Sequence, residues 1–243
     1  MPKSWKASIL TIFPEMFPGP LGCSNVGKAL EKGLWELETL NIRDFAEDKH
    51  ATVDDRPFGG GAGMVMRPDI LGKALDHALA HASGTPRIIY PSPRGRVLDQ
   101  ACVEEMITHS HIMVICGRYE GIDQRVLDHY AVEEISLGDF ILSGGEIASM
   151  ALIDACVRRL PGVLSNALSC EQESFGHGAF GNLLEYPHFT RPATWQGQTV
   201  PEVLLSGDHA AVEAWRKAQS EALTQERRKD LWEEYIRATT RET

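Results

Sequence analysis

The sequence predicts an α/β protein: a parallel β-sheet with helices on both faces, followed by a small helical unit. Three observations carry this. Short apolar runs alternate with helix-periodic segments over the first two thirds of the chain, with short connections between them. Two of the strand-like runs lead directly into glycine-bearing loops, residues 117–121 and 143–145. Periodicity then breaks from residue 165 and returns as two amphipathic helices near the C-terminus.

Taken in order, residues 7–13 (ASILTIF) read as a buried first strand, ended by Pro14, Pro18, Gly19 and Pro20. A helix over 25–34 follows, and residues 37–45 alternate well enough for a second strand. The polar, glycine-rich stretch EDKHATVDDRPFGGGAGMVMRP is too long for a tight connection, and loops of that length are commonly functional or disordered. Residues 68–82 form an apolar-periodic helix, 87–92 (RIIYPS) a third strand, and 99–108 a helix. Residues 112–116 are the next strand and 122–129 a short helix. Residues 135–142 are a further strand, broken at Gly138-Asp139. The helix over 146–160 is rich in small residues (Ala148, Ser149, Ala151, Ala155), which permits close packing against another backbone or a second subunit; Pro161-Gly162 ends it. From 165 to 192, glycines, a His-Gly pair and Pro187 interrupt any period, which reads as a mobile linker. Residues 208–222 and 225–237 then read as two helices, with Asp208 as N-cap of the first.

Composition excludes several classes. The 243 residues suffice for one large domain, or one domain and a smaller one. No run is long enough to span a bilayer, and the start has too short an apolar stretch for a secretory signal. Five scattered cysteines without a C-x-x-C pair fit a reducing cytosol and argue against a disulfide framework or a zinc ribbon. His77 and His81 have helical spacing but lack H-E-x-x-H and a third ligand, so they read as exposed helix residues, and no metal ligand is named. A net charge of −10 does not advertise a nucleic-acid binder. Contact with RNA would need local clusters such as Arg216-Lys217 or Arg227-Arg228-Lys229, which otherwise read as solvated helix faces.

The stretch from Val114 to Gly145 organises the rest. Glycine lets backbone N–H and C=O groups approach a flat or charged ligand because no Cβ intervenes. Two such loops in one alternating segment suggest a ligand held by backbone; as ordinary structure they are tight turns in a sheet. The glycines at 59–61 belong to no GxxxxGK[ST] pattern, so that loop is no P-loop.

An ordered set of motifs resembles one family closely. The set is TIFPEMF, TVDDRPFGGGAGM, YPSPRGRVLDQ, ICGRYEGID, SLGDFILSGGE, LIDACVRRLPGVL and RPATWQGQTVPEVLLSGDH, covering most of the chain. The family is the bacterial tRNA (guanine-N1) methyltransferases, of the SPOUT class of knotted methyltransferases. The resemblance implies a knotted α/β domain over 1–164, with a trefoil knot of a kind general topology rules make exceptional. It also implies a flexible linker over 165–192 and a helical tRNA-gripping domain over 193–243. The implied methyl donor is S-adenosylmethionine, and the active enzyme is a cytoplasmic homodimer with each active site at the subunit interface.

The resemblance further implies that three loops hold the donor: Tyr90, Pro91, Ser92 and Pro93; Gly117, Tyr119 and Glu120; and Leu137, Gly138, Asp139, Phe140, Ile141, Leu142, Gly144 and Gly145. As plain structure, Leu137, Ile141 and Leu142 would be core. Asp54, Arg56, Gly59, Gly60 and Gly61, with Asp154, would hold the target guanine and its neighbour. Glu120 matches a family carboxylate linked to an Mg²⁺ requirement, though a lone acid is a poor magnesium site and otherwise reads as a partner for Arg118 or the donor.

Methylation at N1 of guanine has its own demand. That nitrogen carries a proton, so a base must take it as the methyl arrives, and a fixed cation must meet the charge that spreads to O6. The family's cation matches Arg158, four residues after Asp154 and so on one helix face, where an ordinary ion pair is the alternative reading. Arg159 points elsewhere. The family's linker aspartate aligns with Glu173, a glutamate one methylene longer, with Glu171 nearby. The implied reaction is methyl transfer to the guanine at position 37 of tRNA, next to the anticodon, which protects the reading frame. The departure at 173 leaves two alternatives open: a knotted methyltransferase acting on another RNA, and a non-catalytic RNA-binding protein.

Overall fold

The structure, a computed structural model, describes residues 4–164, 173–175 and 181–241. The chain forms two compact units, Met1–Ser165 and Asn166–Thr243.

The first unit is built on five parallel strands: β1 (Trp5–Thr11), β2 (Trp35–Asn41), then, after a two-stranded ribbon, β5 (Arg87–Val97), β6 (His111–Ile115) and β7 (Glu133–Ser136). They lie in the order β2-β1-β6-β5-β7. The ribbon is β3 (Asp54–Asp55) and β4 (Val65–Met66), antiparallel and inside the long glycine-rich stretch. Alternation along the strands separates two cores. Ala7, Ile9, Ile112 and Val114 face α1 (Ser24–Glu31), α3 (Gln100–Thr108) and α5 (Gly145–Val157). Leu10, Met113 and Ile115 face α2 (Pro68–Ala80) and α4 (Gln124–His129). The predicted α/β class, with a parallel sheet covered on both faces, is what is observed, and residues Asp99 and Asp123 cap α3 and α4 by accepting from Cys102 and Arg125 N–H groups.

Three elements differ from the sequence reading. The second strand stops at Asn41, where the Asn41 side chain accepts from the Arg43 N–H and turns Ile42–Phe45 into a 3₁₀ turn. The strand at 87 runs on to Val97, but the ladder to β7 breaks between Pro91 and Arg96, so residues 92–95 leave it and return. At the return, a β-carbon on Gly95 would overlap the backbone of Glu134 and Ile135. Arg87 and Arg96 straddle this excursion and share acids: Arg87 lies 2.6 Å from Glu133 and 3.1 Å from Glu105, and Arg96 2.7 Å from Glu105. The strand expected over 135–142 ends at Ser136. Beyond it Phe140, Ile141 and Leu142 are exposed rather than core, which makes an apolar loop out of what reads as a strand.

Of the small residues on α5, Ala148 and Ser149 are buried within the unit, and the Ser149 hydroxyl donates to Gly145 O at 2.7 Å and meets Cys116 Sγ at 3.2 Å. Ile147, Ala151 and Asp154 make its exposed stripe. His77 and His81 are exposed, their rings 4.3 Å apart.

The second unit contains a hairpin, β8 (Thr194–Trp195) and β9 (Gln198–Thr199), turned at Gln196-Gly197, both with positive φ. The helices α6 (His209–Arg227) and α7 (Lys229–Arg241) follow, and Asp208 caps the first by accepting from Ala211 N–H at 3.1 Å. The segment before the hairpin packs within this unit. Leu183 and Tyr186 are buried, Leu184 N–H donates to the buried Thr224 hydroxyl at 2.8 Å, and Arg216 lies over the Tyr186 ring. The expected linker thus spans residues 165–172 and 176–180, outside the described residues, and others packed on α6. No helix among the described residues is long and apolar enough to cross a membrane.

Candidate functional site

Three segments meet at the carboxyl ends of β6 and β7 and at the point where β5 leaves its ladder, near the place where open parallel sheets bind ligands. They enclose a cavity of about 250 Å³. Its walls include Tyr90, Pro91, Ser92 and Pro93 from the first loop and Gly117, Tyr119 and Glu120 from the second. Leu137, Gly138, Phe140, Ile141, Leu142, Gly144 and Gly145 come from the third. Of the predicted donor-contact residues, Asp139 alone does not line it. Arg118, Gly121, Ile135, Ser136, Ser143 and Ala148 also do, without having been singled out.

Local sequence explains the shape. Gly117 is glycine because the Tyr90 ring lies on it; a β-carbon there would be 2.5 Å from Cε2. Burial, first, and then the Glu134 charge push the Tyr90 phenol up, so the ring stays neutral against the loop. Gly145 N–H donates to Gly117 O at 2.8 Å, stitching the third loop to the second. Gly138 N–H donates to the Ser136 hydroxyl at 3.1 Å, turning the chain out of β7. Backbone groups and exposed apolar side chains therefore dominate the walls, as suits a flat, partly apolar ligand. Cys116, beneath the second loop, is inert: burial pushes its thiol up to about 12.

Behind the wall lies an ion pair. Arg118 Nε is 2.9 Å from Oε2 of Glu146, a carboxylate only 1% exposed at the start of α5. Thr11 donates its hydroxyl to Glu146 Oε1 at 2.8 Å, and Arg118 also stacks over the Phe13 ring at 4.4 Å and donates to Ser143 O at 3.2 Å. Glu120 is thus not the partner of Arg118; its side chain packs against Gly63.

The glycine-rich loop is tied to this site by backbone. Met66 N–H donates to Gly121 O at 2.9 Å, Glu120 N–H to Met64 O at 2.9 Å, and Asp123 N–H to Met66 O at 3.3 Å. Asp54 pairs with Met66 across the ribbon and hydrogen-bonds Tyr119, whose phenol is pushed up by burial and then by Asp54. Arg56 and Gly59–Gly61 are exposed beyond it, with Phe58 at the tip.

Arg158 is the C-cap of α5, half-buried, its N–H donating to Asp154 O at 3.0 Å; Asp154 is exposed. Arg159 turns to Glu104 at 3.2 Å. Glu173 belongs to the second unit, half-buried, next to Ser174, whose hydroxyl accepts from Glu185 N–H at 2.9 Å. Glu171 lies outside the described residues. Among the described residues no three acidic, thiol or imidazole groups converge.

Residues 5–234 match the family described as tRNA (Guanine-1)-methyltransferase TrmD. The chain belongs to this family. Among its relatives is a tRNA (guanine-N(1)-)-methyltransferase of Rhodospirillum rubrum, 57% identical over 237 residues, covering 98% of this chain and 96% of the relative. Others, of the same name, come from Ruegeria pomeroyi (54% over 231 residues; 95% and 93%) and Rhodopseudomonas palustris (57% over 229 residues; 94% and 90%). Arg118, on the cavity wall, and Glu146, paired with it behind that wall, are the charged residues that the sequence reading did not place there. One signal existed: an acid in the first helical turn directly after Gly-Gly, facing the positive end of the helix dipole.

Proposed function

We propose that the protein transfers a methyl group from S-adenosylmethionine to N1 of guanine 37 of tRNA. One observation carries the reading: three separate loops, with glycine backbone and an apolar wall, close on a single cavity at the strand ends in a chain of this family. The cavity suits the donor. The Leu137, Ile141 and Leu142 side chains can sandwich an adenine, while the backbone of 117 and 137–142 offers hydrogen bonds to its edge and ribose. The bound donor supplies the electrophilic methyl group.

Glu173 takes the N1 proton as the methyl arrives, and Arg158 meets the charge developing on O6. Asp54, Arg56, Gly59–Gly61 and Asp154 hold the target guanine. These roles, the trefoil knot, the homodimer with an interfacial active site and the cytoplasmic location all come from the family resemblance. An Mg²⁺ requirement comes from it too; no step here runs through the ion.

The test uses purified protein, labelled methyl donor, Mg²⁺ and two tRNA transcripts differing only at position 37, guanine or adenine. Label entering N1 of guanine in the first transcript alone is the expected result. Donor binding without transfer to either would overturn the reading in favour of a non-catalytic role or another RNA.

A further inference from the structure

We propose that Glu146 is a positioning residue for donor binding, acting through Arg118 on the wall of the cavity. The inference rests on reading that cavity as the donor site. Glu146 does not line the cavity; Arg118 and Ser143 do. A carboxylate this deeply buried is costly unless it is paired and hydrogen-bonded, and here both oxygens are engaged, one by Thr11 and one by Arg118.

The contacts close into a circuit. Thr11 holds Glu146 at 2.8 Å, Glu146 holds Arg118 at 2.9 Å, and Arg118 lies over Phe13 at 4.4 Å. Phe13 N–H donates back to the Thr11 hydroxyl at 3.0 Å. Every member sits at the carboxyl end of a strand or the first turn of α5. The circuit has one polar output toward the cavity, the Arg118 Nη1 bond to Ser143 O at 3.2 Å. Through it, the end of the 137–144 loop is pinned by a side chain, while Gly145 N–H pins it by backbone to Gly117. The Arg118 Nε–H points off the line to Glu146 Oε2, so charge rather than an aligned hydrogen bond holds the two together. Removing the charge at 146 therefore frees the guanidinium, and with it Ser143 and the loop that walls the donor. The guanine-binding ribbon has its own backbone ties and keeps its place.

The measurement is a comparison of wild type with Glu146→Gln and Thr11→Val, all full length. S-adenosylhomocysteine binding is read by calorimetry, and KM for donor and for tRNA and kcat at saturation are read separately. Glu146→Gln is expected to weaken S-adenosylhomocysteine binding and raise donor KM about ten- to a hundredfold, the scale of a wall displaced by about 1 Å. The tRNA KM should stay at its wild-type value. Thr11→Val, which keeps the ion pair but removes the hydroxyl, should shift the same two quantities in the same direction by less. A folded Glu146→Gln with wild-type donor affinity overturns the proposal. So does an equal loss of donor and tRNA affinity, which a purely structural role would give. If Glu146→Gln does not fold, Thr11→Val decides by itself, and unchanged donor affinity sinks the idea. Wild-type protein that fails to bind S-adenosylhomocysteine would instead refute the reading of the cavity.

Discussion

The guanidinium of Arg118 reaches Glu146, at 2.9 Å, by crossing the space where a side chain of residue 144 would stand. A β-carbon on Gly144 would overlap Nε, Cδ and Cζ of Arg118, and the Phe13 ring blocks retreat on one side. Gly144→Ala is therefore expected to destabilise the protein by about 1–3 kcal/mol through overpacking and to reduce the thermal stabilisation given by S-adenosylhomocysteine. Thermal unfolding with and without that ligand measures both. A variant matching wild type in each would show that Arg118 moves aside freely.

Gly95 faces a harder neighbour. Its missing β-carbon would meet the Glu134 carbonyl and the Ile135 nitrogen, backbone atoms of β7 that cannot rotate out of the way. Gly95→Ala should cost stability near the upper end of about 1–3 kcal/mol or beyond it. The urea midpoint of unfolding reads the change. Little change would mean that the 92–95 excursion can lift off β7.

Acid sensitivity should trace to His111. The ring is buried, Nε2 is 2.9 Å from the Ser8 hydroxyl, and Nδ1 has no hydrogen-bond partner. Burial, first, and then Lys6 hold its pKa below the ordinary 6.5, against the opposing pull of Glu38 and Glu36. A depressed folded value means the unfolded chain binds the proton more readily. The contribution to stability is then whole above pH 6.5 and is lost as pH falls through the folded value. Urea midpoints at about pH 7.5 and about pH 5.5 should differ more for wild type than for His111→Gln. Equal differences would remove His111 as the cause.

The roles proposed for Glu173 and Arg158 are separable by single-turnover kinetics. Glu173→Gln should slow methyl transfer by about 10²- to 10⁴-fold, the usual contribution of a positioned base, without altering donor affinity. Arg158→Ala should slow it by about 10²- to 10³-fold, the usual loss when a transition-state charge partner is removed. A Glu173→Gln rate near that of wild type would disqualify it as the base.

The frame of this molecule could be read in its sequence because alternation and capping are local. Ala7 and Ile9 against Leu10 assign the two faces of β1, and Asp208 announces α6. The apolar run from Leu137 to Leu142 misleads for a physical reason. A loop that walls an apolar cavity has the same composition as a buried strand, and only Gly138 hints at the difference. The hairpin at Thr194–Thr199 went unread, because strands of two residues are too short for a period to reveal. Motif resemblance named fourteen of the twenty residues that line the cavity. Arg118 and Glu146 escaped because nothing in their spacing says that a loop and a helix start, far apart in the chain, face each other across a glycine.

The ties between Met64–Met66 and Glu120–Asp123 give the glycine-rich loop a fixed root and a free tip. Three backbone bonds cannot be rearranged without tearing the rim of the neighbouring cavity, so the root cannot serve as a hinge. Whatever swing is needed to admit a bulky polynucleotide falls to the exposed residues from Phe58 to Gly61, where added β-carbons on the glycines would touch nothing. Length changes at that tip should accordingly spare folding and the cavity while disturbing the hold on guanine, and should be punished two or three residues further on, where the ribbon is bonded to the loop that lines the cavity.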